Sequence, residues 1–123
     1  MATVRPRKAE GIDGTARALT VCVRTLLADV ACVHERRLFG RDAFFVRGYL
    51  CVTAGGGRLM CRIDPSRHAE WVSEPGCAPM RMRGRIVRGY LDVDAAALPD
   101  RRRLERWIAR ALAFNATLPA RSR

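Results

Sequence analysis

Lysine is almost missing from this chain: Lys8 is the only one, so 22 of the 23 basic residues are arginine. A GC-rich genome favours arginine codons, and the bias needs no functional cause. The net charge of +11 therefore speaks to solubility and to attraction for anions, and identifies neither a fold nor a partner. Long apolar runs are also lacking. Hydrophobic residues make up 49% of the sequence, but arginines interrupt them well short of the ~20 residues needed to cross a bilayer. Arg5, Arg7 and Lys8 are followed by Glu10, Gly11, Asp13 and Gly14, where a signal peptide would need an apolar core. Neither membrane insertion nor export is expected, and the expected location is the cytoplasm.

No C-x-x-C pair occurs among the five cysteines, Cys22, Cys32, Cys51, Cys61 and Cys77. An odd, scattered set lying partly inside apolar runs suits reduced thiols used as small core side chains. A zinc site needs about four converging ligands, and His34 and His68 lie near no cysteine pair, so no metal or cofactor is expected. Aromatics are sparse at 7%, and none is interleaved with the arginine cluster, where bases would have to stack.

What is present fits one domain, since 123 residues hold one core and leave no room for a second. Residues 1–14 are polar, rich in Gly and Pro and without periodicity, and are expected to be a flexible arm. From Thr15, Leu19, Val23, Leu26, Leu27 and Val30 recur at helical spacing, with Asp13 or Thr15 as candidate caps. The period then changes. Val33 to Gly40, Ala43 to Arg47, Tyr49 to Ala54 and Leu59 to Ile63 form four candidate strands of a meander, with Gly48 and the run Gly55, Gly56, Gly57 at turns. Pro65 and Ser66 open a short helix carrying Trp71, and Pro75 and Gly76 end it. Cys77 to Arg85 reads as a loop, and Ile86 to Val93 as a fifth strand. Behind the candidate N-cap Asp100, a final helix places Leu104, Trp107, Ile108, Ala111, Leu112, Phe114 and Leu118 on one broad face. The class is α+β, with about five strands, and the domain occupies 15–119 with a short tail at 120–123.

Several of these residues fall in a known order. Glu35, Arg36, Arg37, Leu38, Phe39 and Gly40 are followed by Gly48, Leu50 and Cys51. Then come Pro79, Met80, Met82, Gly84, Arg85, Val87, Gly89, Tyr90, Val93 and Asp94, and finally Leu104 and Trp107. Over about residues 15 to 119 the chain resembles the TfoX N-terminal domain family. It departs from the family pattern at Arg41, where a second glycine is usual, at Tyr49 and at Ile86. Arginine at 41 sits poorly with a positive φ there. The resemblance implies a two-layer α+β sandwich, in which one antiparallel sheet is covered on one face by helices, similar to secretion chaperones. Longer members carry a further helical domain and regulate natural competence genes, so this chain is expected to be a stand-alone copy of the N-terminal domain, without enzymatic activity.

Three groups of residues are candidates for function. Arg81, Arg83, Arg85 and Arg88 could contact an anion or an acidic partner, against the simpler account of a solvated loop in which Arg85 holds a turn. If a three-glycine loop pairs Ala54 with Arg58, Cys51 falls directly opposite Cys61, near disulfide range, as a candidate redox pair or two core thiols. In that register Leu50, Val52 and Met60 share the other face, a candidate surface for a homodimer. Asp92 and Asp94 share a face, but are expected to pair with arginines or cap a turn. Cys32 near His34 lacks the rest of a nucleophilic site, and His68 and Glu70 are expected at the surface. The favoured function is a protein-interaction or regulatory module with an unknown protein partner. The alternative is a basic protein that binds nucleic acid weakly and non-specifically through phosphate contacts.

Overall fold

The computed structural model describes residues 16–98 and 100–120. The arm expected over 1–14 and the caps Asp13 and Thr15 lie outside the described residues. In chain order the elements are helix α1 (Ala16–Leu26), strands β1 (Val33–Leu38), β2 (Arg41–Val46), β3 (Tyr49–Gly55) and β4 (Arg58–Arg62), and a 3-10 turn (Pro65–Arg67) leading into the short helix α2 (His68–Trp71). Strands β5 (Cys77–Met82) and β6 (Arg85–Asp94) follow, then a second 3-10 turn (Ala95–Ala97) and helix α3 (Arg101–Asn115). All strand pairings are antiparallel, in one six-stranded sheet of order β1-β2-β3-β4-β6-β5. No helix among the described residues is long and apolar enough to cross a membrane.

The α+β class and the helix-covered antiparallel sheet are as expected, and the strand count is corrected from about five to six. The additional strand is Cys77–Met82, expected as part of a loop because it contains Pro79 and Arg81. Proline lacks the N–H that a central strand must donate, but it is tolerated at an edge, and β5 is the outermost strand on its side of the sheet.

Four connections share one device. Phe39-Gly40, Arg47-Gly48, Gly56-Gly57 and Arg83-Gly84 each have positive φ at both residues, and each lies between directly paired residues: Leu38 and Arg41, Val46 and Tyr49, Gly55 and Arg58, Met82 and Arg85. These are two-residue type I′ turns, whose twist matches that of the flanking strands. A non-glycine residue at the first position costs roughly 1–2 kcal/mol. At Arg47 this is offset, because its guanidinium donates to the Asn115 and Leu118 carbonyls at 2.6 and 2.9 Å, at the end of α3 where carbonyls run out of intrahelical donors. Arg41 itself is the first residue of β2 and has no positive φ; the left-handed pair is Phe39-Gly40.

The helices cover one face of β3 and β4. Leu19, Val23 and Leu27 from α1 and its exit, and Leu104, Trp107, Ile108 and Ala111 from α3, pack on Phe44, Val46, Val52, Ala54, Leu59, Cys61, Leu91 and Val93. Asp100 caps α3 as expected, accepting from the Arg103 N–H at 3.0 Å. Asn115 closes the other end, donating its amide to the Val46 carbonyl at 2.9 Å.

One irregularity decides which side chains reach which face. Phe44 pairs with Val52 and Phe45 with Leu50, so Cys51 is an extra residue in β3. A β-bulge of this kind resets the alternation of side chains along the strand. Val52 and Ala54 point to the helices, with Cys51 in the same core, whereas Leu50 and Thr53 line the opposite face. Simple period-two reading put Leu50 and Val52 together, and the bulge separates them.

Candidate interaction surface

The face of the sheet away from the helices forms a hollow of about 480 Å³, lined by Leu38, Phe39, Leu50, Met60, Met80, Met82, Val87 and Tyr90, with Arg41, Thr53 and Arg81. These residues come from both edges of the sheet: Leu38 and Phe39 from the β1-β2 hairpin, and Met80 and Met82 from β5. For opposite edges to line one hollow, the sheet must curl toward this side. The ion pair on its floor requires the same curl. Arg41 of β2 reaches Asp92 of β6 at 3.0 and 3.2 Å, across β3 and β4. Three inter-strand spacings of a flat sheet amount to about 14 Å, beyond the reach of one arginine and one aspartate. The same guanidinium lies 3.4 Å from the Thr53 hydroxyl.

The lining is soft as well as apolar. Met60, Met80 and Met82 are three of the four methionines of the chain, and all three line this hollow. Unbranched thioether side chains repack readily around a partner. At its rim, Phe39 is 85% exposed and Met82 51%, and Ile86 on the same β5-β6 hairpin is 52% exposed. Phe39 occupies its left-handed turn position with almost its whole ring in solvent, so folding does not account for an aromatic residue there.

The expected dimer face is thus corrected in part. Leu50 and Met60 do face the open side, Met60 buried beneath it at 1% exposure, but Val52 is completely buried under the helices. The thiol register also differs. Gly55, not Ala54, pairs with Arg58, and Val52 is the residue opposite Cys61, because Gly55 belongs to the strand and the turn holds two residues. Cys51 and Cys61 are free and buried. Burial pushes the Cys51 thiol up to about 12 in spite of nearby Arg62, and burial holds Cys61 well above its usual range. Neither is a thiolate nucleophile at neutral pH.

Arg81, Arg83, Arg85 and Arg88 are all exposed, but they do not form one stripe. Arg81 lines the hollow, Arg83 and Arg85 sit at the tip of its β5-β6 wall, and Arg88 turns back to donate to the Pro65 carbonyl at 3.2 Å. The register of β5 against β6 slips between Pro79 and Arg81, and this slip separates Arg88 from the others. Asp92 and Asp94 behave as expected: the first pairs with Arg41, and the second accepts from the Ala96 N–H at 3.0 Å to cap the 3-10 turn.

His68, expected at the surface, is buried instead. Its Nδ1 accepts the Gly89 N–H at 2.9 Å, while the Gly89 carbonyl accepts from the Ile63 N–H at 2.7 Å. Gly89 has φ +89° and lies so close to Pro65 and the Ile63 carbonyl that a Cβ would come within 3.1 and 3.2 Å of them. Here the chain needs glycine for both conformation and space. The histidine thus anchors the irregular stretch of β6 to α2.

The TfoX N-terminal domain model matches residues 25–115, from the end of α1 to the last residue of α3. The chain belongs to the TfoX N-terminal domain family. No curated protein and no solved structure matches it significantly. Within this TfoX N-terminal domain, sequence reasoning missed Leu38, Phe39, Arg41, Met80, Met82, Val87 and Tyr90 as lining of one surface. The available signal was the alternation Met80-Arg81-Met82 ahead of Arg83-Gly84, a strand running into a glycine turn.

Proposed function

We propose that this TfoX N-terminal domain is a non-enzymatic regulatory module of the cytoplasm that works by docking another macromolecule on the open face of its sheet. One observation carries the reading: a curved, methionine-lined apolar hollow that no element of the described chain covers, with Phe39 and Met82 exposed at its rim. Large apolar side chains left in solvent beside such a hollow, here Phe39 and Met82, are a feature of interaction sites. The competence-regulator character of longer family members is consistent with such a role.

Bond-making has little support. Among the described residues no hydrogen bond joins exposed Cys32 to His34, the Nδ1 of His68 is occupied by Gly89, and Cys51 and Cys61 are buried neutral thiols. The nucleic-acid alternative draws on exposed Arg83 and Arg85, with Phe39 and Tyr90 as aromatic side chains in the adjoining hollow. Trp71 lies elsewhere, with the guanidiniums of Arg67 and Arg110 at 5.1 and 4.2 Å from its ring and Trp107 in T-shaped contact.

A photo-reactive amino acid placed at position 82, and separately at position 21 on α1, tests the docking reading in the native cytosol. Val21 is 47% exposed, so it controls for exposure alone. Cross-links to a discrete partner from position 82 and not from 21 are expected. Equal yields from both positions, or none, would remove the open face as the docking surface. Labelled duplex DNA at low and physiological salt tests the alternative: binding is expected to be weak and to collapse with salt, and salt-resistant, sequence-selective binding would replace the docking reading.

A further inference from the structure

The open face accounts for where a partner docks; its charge specifies what kind. We infer that the hollow receives an acidic amphipathic helix of another protein, apolar side chains seated among Leu50, Met80 and Met82 and carboxylates facing the arginine rim. This rests on the reading of the open face as a docking surface.

Charge complementarity selects the occupant. Arg81 lines the hollow, Arg83 and Arg85 stand exposed at the tip of one wall, and Arg36 of β1 lies over the Phe45 ring on the same side, 5.8 Å from its centroid. Among the described residues Arg81, Arg83, Arg85 and Arg36 have no carboxylate partner, and apart from Asp29, in the turn after α1, the described acidic residues are engaged elsewhere. Glu35 pairs with Arg24, Asp42 with Arg37, Glu70 with Arg67, Glu74 with Arg110 and Glu105 with Arg101. Asp64, Asp94 and Asp100 cap turns or helices. Asp92 is paired with Arg41, a residue that lines the hollow. The rim is therefore basic without internal compensation.

That charge argues against the two other occupants. A second copy, also with a net charge of +11, would bring two arginine rims together, and like charges across an interface are costly. The chain's own first residues carry Arg5, Arg7 and Lys8 against Glu10 and Asp13, again the wrong sign. A helix is favoured over an added strand because both sheet edges are guarded. β1 carries His34, Glu35, Arg36 and Arg37 along its length, and β5 has Pro79, which cannot donate, followed by Arg81. An apolar groove between closed edges suits the helix-in-groove mode of recognition.

Three synthetic helical peptides of roughly 18 residues test this. They share one leucine and methionine stripe and carry glutamate, glutamine or lysine on the polar face. Anisotropy with the full chain near physiological ionic strength is expected to show the acidic peptide binding about tenfold or more tighter than the neutral one, and the basic one weakest. The double variant Phe39→Ser, Met82→Ser removes only exposed side chains. It is expected to keep the wild-type circular dichroism and to weaken acidic-peptide binding about tenfold. Arg81→Gln with Arg85→Gln should bring the acidic peptide down to the level of the neutral one.

Equal or better binding of the neutral or basic peptide overturns the inference. So does absence of acidic-peptide binding up to millimolar concentration, or a dimer by light scattering that the double variant dissociates. In the first and last cases, sensitivity to Phe39 and Met82 leaves the docking surface standing and only the partner's charge is wrong. If neither any peptide nor self-association responds to the double variant, the docking surface falls as well.

Discussion

The two faces of the sheet use the same strands for opposite purposes. On the helix side, Leu59, Cys61, Leu91 and Val93 are shut away under Trp107 and Leu104, and branched side chains fill the space. On the open side Met60 sits between Leu59 and Cys61 in the same strand, yet it forms the buried floor of a hollow lined by methionines, Phe39, Tyr90 and Arg41. Stability is concentrated where shape is fixed, and adaptability where shape must follow a partner. Substitutions should separate the two.

The largest expected effect is on the covered face. Trp107→Ala removes a side chain that is 1% exposed and should cost about 3–5 kcal/mol in chemical denaturation. Next comes the floor of the open face. Arg41→Ala leaves Asp92, whose side chain is 17% exposed, without its partner, and a loss of about 1–3 kcal/mol is expected. An unchanged denaturation midpoint would show that the curl does not depend on this pair.

The dependence of melting temperature on pH sharpens the comparison. Burial opposes ionisation of Asp42, but hydrogen bonds from Arg37 and Thr20 outweigh it and hold the carboxyl below its ordinary value of 3.8. A lowered native value means stability present above the unfolded value and lost as pH falls through the native one. Asp42→Asn should therefore flatten the acid limb. The buried thiols act with opposite sign. Raised by burial, Cys51 and Cys61 contribute stability that is full below the ordinary thiol value of 9.0 and declines as pH rises toward the native value, about 12 for Cys51. Replacing both by alanine should flatten the alkaline limb.

Thiol labelling separates exposed from covered positions without substitution. Cys32 is exposed and should react with maleimide first, with Cys51 and Cys61 last. Mass spectrometry after peroxide treatment should find both buried thiols free, and a Cys51 to Cys61 disulfide would contradict the register reported above. The smallest effect on stability is expected at Phe39→Asn, within about 0.5 kcal/mol, because the ring is exposed and asparagine tolerates the left-handed turn. The same change should nonetheless weaken docking, and that contrast is the sharpest form of the comparison between the faces.

Much of the fold was legible because its signals are local. Helical spacing from Leu19 to Leu27 and from Leu104 to Leu112, Asp100 as a cap, and Gly48 and the glycine run as turns each depend on a few neighbouring residues, and each is found in place. Proline made Cys77–Met82 read as a loop, since nothing local says that a strand lies at an edge. The candidate site was less legible. Leu50, Met60 and Arg81 were singled out and do line the hollow, but Val52 was assigned with them. Arg41, read only as a departure from a family glycine, is the residue that bridges the floor.

By itself the sequence determined the element types other than the edge strand Cys77–Met82, the antiparallel run from β1 to β4 and the overall charge, because side-chain period, turn chemistry and composition are properties of short stretches. Only the tertiary structure decided the insertion of Cys51 as a bulge, the burial of His68 against Gly89 and the curl that brings Met82 and Phe39 to one hollow. Each of these depends on the register between strands distant in sequence. In a sheet, a shift of one residue turns a side chain from one face to the other, and pairing, not local preference, sets that shift.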